Sequence, residues 1–322
     1  MTTVLSGNQI DHYVLENLIA TNTTASTYRG TDLRTGRQVA VKIPHLEIEG
    51  DPLLYERFQR EQEIGRQLNH PSLVKFVTDE TRNGVYLVTE WVEGQPLRRI
   101  LSEQGKLPPE RALRIATGIC DALDYIHSQG VVHRDLKPEN IMVGADDHVT
   151  LMDFGVASVA GARRLTFGKL AQIIGTADYI SPEQVNGKRG DARSDIYAAG
   201  VILYEMLVGT APFPGDNLFA IMNSRLINHP IPPREIDPGI SVELQEILYR
   251  ALERDPKNRY ARAHEFSWDL QHQDRVGAAD RPELQNWRQG RAPWTRAPLM
   301  YGALAAISML AFTLLFYVAR HG

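Results

Sequence analysis

Cysteine is almost missing from this chain of 322 residues. Cys120 stands alone, which excludes an internal disulfide framework and a metal site built on paired thiolates. Its setting, the periodic run IATGICDALDYIH, makes it a helix core residue rather than a reactive thiol. An excess of positive charge is lacking as well: the formal net charge is -4, so the overall balance calls for no nucleic-acid partner. The opening stretch MTTVLSGNQIDHY has no basic segment followed by an apolar run, which argues against a secretory signal. A further scarcity is local. Residues 18–30, LIATNTTASTYRG, have the texture of a strand, a turn and a strand, yet no glycine occurs before Gly30. Such a turn gives up the positive φ and the close backbone approach to a ligand that glycine allows.

What is present begins with length, which suffices for two substantial lobes with buried cores. Residues 13–90 carry short alternating or β-branched runs, YVLENLIA, STYRGTDL, QVAVKIP, LVKFVTDE and GVYLVTEW, interrupted by one helical run, LLYERFQREQEIGRQL. After Gly94 the texture turns to amphipathic helices such as PPERALRIATGICDALDYIHSQG, SDIYAAGVILYEMLVG and VELQEILYRALE. From 273 to 298 the chain is polar and rich in Gly, Pro and Arg, the composition of a linker. The C-terminus differs again. The segment LMYGALAAISMLAFTLLFYV, 299–318, is free of charge and as a helix spans about 30 Å, a bilayer's hydrocarbon thickness. The five arginines between 273 and 298 against Arg320 beyond the span place the long N-terminal portion on the cytoplasmic side, with a tail of 319–322 outside. The expectation is therefore a single-pass protein of the plasma (inner) membrane in contact with the lipid bilayer. Gly302 and Ala306 have the small-xxx-small spacing that permits a homodimer.

The motifs come in a fixed order: VAVK at 39–42, HRDLKPEN at 133–140, DFG at 153–155 and SPE at 181–183. Together, with strands before and helices after, they resemble the eukaryotic-type serine/threonine protein kinases, especially their membrane-anchored bacterial members, over roughly residues 13–270. The resemblance implies an α+β, bilobal protein-kinase-like fold: a leader at 1–12, a β-rich N-lobe at 13–93 and a helical C-lobe at 94–272, with the membrane helix appended. It implies ATP and Mg2+, with Mn2+ as an alternative ion, and proteins with Ser or Thr hydroxyls as substrates.

Site residues follow one by one. Lys42 offers a point cation for the α and β phosphates, and by resemblance Glu61 orients it. Asp135 is the expected catalytic base and positioner, Lys137 neutralises charge near the transferring phosphate, and Asn140 and Asp153 are the metal ligands. Ala20, Asn22, Ala25 and Thr27 occupy the phosphate-covering positions. The resemblance adds Ala40 and Met142 to the nucleotide-binding residues, with Glu90 and Val92 facing the adenine through their backbones and Thr89 as a small residue behind it. In the activation segment, Thr176 of the GT pair faces the substrate. Thr166, beside Arg163 and Arg164, is the favoured autophosphorylation site, and Arg134 would meet its phosphate. His133, Asp195 and the pair Glu183 and Arg259 resemble structural members.

Two departures qualify the resemblance. The pattern G-x-G-x-x-G has lost all three glycines, to Ala20, Asn22 and Ala25, of which asparagine visits the left-handed region most readily. Gly65, four residues after Glu61, stands where many kinases carry a larger apolar side chain. Either the helix is weakened there, or Phe76 or another side chain fills the space. A nucleotide-binding pseudokinase scaffold is the alternative to an active enzyme, and a small-molecule phosphotransferase a third reading. Four chemical groups without a backbone substitute, Lys42, Asp135, Asn140 and Asp153, favour the enzyme.

Overall fold

The computed structural model describes residues 9–21, 25–45, 52–77, 84–154, 158–159 and 178–278. Asn22, Thr166, Thr176, residues 1–8 of the leader and everything from 279, hence most of the linker, the apolar span and the tail, lie outside them.

Alternation in the first third of the chain yields a five-stranded antiparallel sheet, β1 (Gln9–Ile10), β2 (Tyr13–Thr21), β3 (Ala25–Asp32), β4 (Gln38–Pro44) and β5 (Leu87–Glu90), in that spatial order. Tyr13, Leu15, Tyr28, Val39, Val41, Tyr86 and Val88 form its own apolar cluster. Gly30 is required by packing rather than by a turn: a Cβ there would collide with the Val14 carbonyl of the neighbouring strand. The run LVKFVTDE, expected as a strand, forms none within its described part. Leu73 bridges to Leu151 and Phe76 to Thr89, so these residues cross from one sheet to another, bonded to each only briefly. The charged periodic run is a helix as expected, α1 (Pro52–Gln67).

Beyond β6 (Gln95–Pro96) the chain is mainly helical: α2 (Leu97–Gln104) and α3 (Pro109–Ser128) come first. The short strands β7 (Val131–Val132), β8 (Ile141–Val143), β9 (Val149–Leu151) and β10 (Ser158–Val159) follow. Then come α4 (Pro182–Val185), α5 (Ala192–Val208), α6 (Leu218–Ile227), α7 (Pro233–Ile236), α8 (Val242–Ala251) and α9 (Ala263–Gln271). Helix α5 is apolar nearly all round and accordingly buried, the centre on which α3, α8 and α9 pack. Side-chain caps start the helices where polar residues precede them: Asp191, Asn217 and Ser241 accept from Arg193 N, Ala220 N and Leu244 N. Cys120 is fully buried in α3, as its periodicity required, and burial raises its thiol pKa far out of the reactive range. The lobe runs on through a 3-10 turn at Gln273–Arg275, and Val276 packs on its core, so it continues past residue 272, where the linker was expected to begin. Among the described residues no helix is long and apolar enough to cross a membrane; 299–318 is not among them.

Candidate active site

Sheet register assembles the first half of the site. Ala20 stands opposite Thr27 and Thr27 opposite Lys42, while Ala40 stands opposite Thr89. Directly opposed residues share a face, as do residues two apart along a strand. The register therefore puts Ala20, Ala25, Thr27, Ala40, Lys42 and Thr89 on one face, the other carrying Tyr28, Val39 and Val41. Glu90 is exposed, and its backbone N–H donates to Lys75 O at 2.9 Å; Val92 and Met142 are half-buried, Met142 at the middle of β8.

Lys42 is held between two carboxylates. Its Nζ donates to Glu61 Oε1 and Oε2, each at 2.9 Å, and to Asp153 Oδ2 at 3.4 Å. Glu61 is buried on α1. Burial and the nearby Asp153 charge push its carboxyl up to about 7, against the attraction of Lys42. For Lys42 burial works towards the neutral amine, but Asp153 and Glu61 outweigh it and hold the ammonium charged.

Gly65 resolves one of the two departures. A methyl group at this position would come within 2.3–2.6 Å of three Phe76 ring atoms, so the aromatic side chain occupies the space that a larger residue on α1 would take. Phe76 also packs against the main core and bridges Thr89, linking α1 to the sheet. Gly65→Leu alone is expected to cost about 1–3 kcal/mol through overpacking. Combining it with Phe76→Ala should recover most of that loss, as read by urea denaturation.

The catalytic-loop residues converge on Asp135. Lys137 Nζ donates to Asp135 Oδ2 at 2.8 Å, and Asn140 Nδ2 donates to the Asp135 carbonyl at 2.9 Å. That orientation leaves the Asn140 oxygen as an acceptor. Met152 N donates to Asn140 O at 2.9 Å, which ties this loop to the strand leading into Asp153. Burial raises the Asp135 carboxyl pKa, opposed by Lys137 and reinforced by Asp153. Beneath the loop, Asp195 accepts from His133 N and Arg134 N, both at 2.8 Å, and from His127 Nε2 at 2.8 Å. Arg134 sits at φ 67°, a conformation that side chains other than glycine seldom adopt, and the Asp195 bonds hold it there. Burial opposes ionisation of Asp195, but these donors outweigh it and keep the carboxyl below its ordinary range. His133 packs beside Phe154, ring centroids 5.5 Å apart, as its structural reading required.

Some participants carry no signal in the sequence. Burial, then the charges of Arg189, before α5, and Arg60, on α1, push the Arg134 guanidinium down to about 10, against the attraction of Asp195 and Asp191. Arg98 of α2 donates to Glu139 Oε1 at 2.9 Å and Glu205 Oε1 at 2.8 Å, and it also bonds Tyr179. Glu139 is the neighbour of Asn140, but nothing in the order of residues points to Arg98 as its partner. The expected pair of Glu183 and Arg259 is present, with two bonds at 2.8 and 2.7 Å.

Two lobes, a lysine–glutamate pair beneath a β-hairpin and a loop of Asp, Lys and Asn define a phosphotransferase fold of the kinase type. A family model described as "Protein kinase domain" matches residues 13–269, and the chain belongs to that family. It is 40% identical over 266 residues to serine/threonine-protein kinase PknB of Mycobacterium leprae, covering 81% of this chain and 42% of that one. To a probable serine/threonine-protein kinase of Streptomyces coelicolor, SCO3848, it is 40% identical over 265 residues, 80% of this chain and 39% of the other. The chain thus spans about two fifths of the length of these curated relatives. Among solved structures, the PknI kinase domain of Mycobacterium tuberculosis, a C20A mutant, superposes with a TM-score of 0.64 at 22% identity, covering 85% of this chain and 100% of that one; the likeness is one of fold.

Proposed function

We propose that this protein is an ATP-dependent protein serine/threonine kinase. The observation that carries the reading is the joint placement of Lys42 between Glu61 and Asp153, and of Asp135 between Lys137 and Asn140. In it Glu61 fixes the Lys42 ammonium where the α and β phosphates would lie, and Thr27, Ala40 and Thr89 share its sheet face. Asp135 receives the proton of the acceptor hydroxyl as its oxygen bonds to the γ-phosphorus and the bond to the departing ADP breaks, while Lys137 offsets the charge. The donor set fits a hard divalent ion: Asn140 keeps an oxygen free of its own amide bonds, and Asp153 supplies a carboxylate. Among the described residues no cluster of three or more His, Cys, Asp or Glu could hold a metal unaided, so Mg2+, or Mn2+ in its place, would draw its remaining ligands from phosphate and water. Such an ion supplies compensation for charge on the transferred group. The cations Arg60, Arg134 and Arg189 suit a phosphate on the activation segment, at Thr166 in this reading, with Thr176 facing the acceptor.

The same reading assigns 299–318 as a single membrane helix that tethers the kinase on the cytoplasmic face of the inner membrane, with dimerisation through Gly302 and Ala306. Carbonate washing and protease protection of intact cells test the tether: a catalytic portion washed free, or digested from outside, would reject it. Acceptor class is tested by offering the full chain Mg-ATP with protein, peptide and small-molecule acceptors. Label is expected as phosphoserine and phosphothreonine; transfer only to tyrosine or to a small molecule would reject the assignment.

A further inference from the structure

Among the described residues, Arg225 is the largest side chain that is buried completely, at 1% exposure. It belongs to α6, but its guanidinium ends on the backbone of another segment: Nη1 donates to Ile180 O and Nη2 to Asp178 O, both at 2.7 Å. The rings of Phe213 and Tyr197 lie 5.7 and 5.9 Å from its central carbon. A guanidinium remains charged in a protein, and removing it from water carries a heavy penalty that only well-aligned partners offset. An apolar side chain of similar volume would fill the space but leave the Asp178 and Ile180 carbonyls without these donors. What the fork adds is position, because two charge-assisted bonds to alternate carbonyls fix the backbone that bears them.

That backbone is a consequential one. Residues 178–180 follow the GT pair expected to face the acceptor and precede Ser181, which caps α4. Tyr179 and Ile180 line the same crevice as Asp135 and Arg134. The side chain of Tyr179 is gripped separately, by Arg98 and Glu205. The short stretch is thus held by its carbonyls from α6 and by its phenol from α2 and α5.

We infer that Arg225 is a positioning residue for the protein acceptor: by anchoring 178–180 to α6 it sets where the acceptor backbone lies relative to Asp135. The inference rests on the kinase reading, and its test separates acceptor binding from nucleotide chemistry. The full-length chain, wild type, Arg225→Met and Arg225→Lys, is assayed for phosphorylation of a Ser/Thr peptide and, without peptide, for slow hydrolysis of ATP by water. For Arg225→Met the peptide KM is expected to rise about tenfold, while the KM for ATP and the hydrolysis rate stay within about twofold of wild type. Arg225→Lys keeps the charge but reaches one carbonyl, and a rise of about threefold is expected. If the methionine variant fails to fold, the lysine variant decides. An unchanged peptide KM in a folded variant overturns the inference, as does a parallel fall of hydrolysis and peptide phosphorylation, which would mark general structural damage. Wild-type protein inert in both assays would instead sink the kinase reading itself.

Discussion

Asp153→Asn is expected to lower kcat by about three orders of magnitude, with Lys42→Met close behind. Phosphoryl transfer depends on alignment and on charge compensation, and Asp153 offers the one full negative charge for a metal ion beside the asparagine oxygen of the catalytic loop. The same substitution removes the Asp153 charge that adds to burial in raising the Glu61 carboxyl, and it weakens only the longer of the Lys42 contacts, at 3.4 Å. Activity should collapse while the melting temperature holds or rises. That divergence separates a catalytic from a structural residue. Undiminished turnover would contradict the assignment.

Arg259→Ala is expected to destabilise the large lobe by about 3–5 kcal/mol. Glu183 would be left buried with Ser194, at 2.6 Å, as its one remaining side-chain partner among the described residues. In the native protein burial raises the Glu183 carboxyl, but Arg259 outweighs it and holds the group below its ordinary range. A depressed carboxyl contributes stability above its unfolded pKa and loses it as pH falls through the folded one. The wild type should therefore weaken on the acid side of 4.5, and the variant, which has already lost this term, should show a flatter acid limb. Urea titrations at several pH values measure both. Replacing the two residues together by leucine should recover only part of the loss, because Arg259 also donates to the Glu253, Arg193 and Arg254 carbonyls; a single-variant cost below about 1 kcal/mol would contradict the pair's importance.

How far the order of residues carries depends on whether the deciding contact is local. Helix α1 and strands β2 to β5 follow from periodicities that one element expresses alone. Lys42 and Glu61, 19 residues apart, meet at 2.9 Å as the family spacing required. Gly65 was ambiguous because its answer lies on Phe76, which reaches α1 only once the chain has turned back to bridge Thr89. The same crossing explains why the described part of LVKFVTDE, apolar and β-branched enough for a strand, pairs at single residues. Arg225 was illegible for a different reason. A charged residue in an amphipathic helix is ordinarily solvated, and only the packed fold shows it turned inward onto two carbonyls. Asn22 belongs to neither group: with Ala20 and Thr27 placed on the Lys42 face, the turn between them lies outside the described residues.

The central claim is that the retained groups make an enzyme despite a phosphate cover without glycines, and it is tested most directly by measuring nucleotide binding and phosphoryl transfer side by side in wild type and Asp135→Asn. Both proteins are titrated with Mg-ATP and then followed through one turnover with labelled nucleotide at saturation. Equal affinity is predicted, with label moving to Ser or Thr in the wild type and slower by about two orders of magnitude or more in the variant. A wild type that binds nucleotide as well as the variant and transfers no more label than it does would show a scaffold, not a kinase.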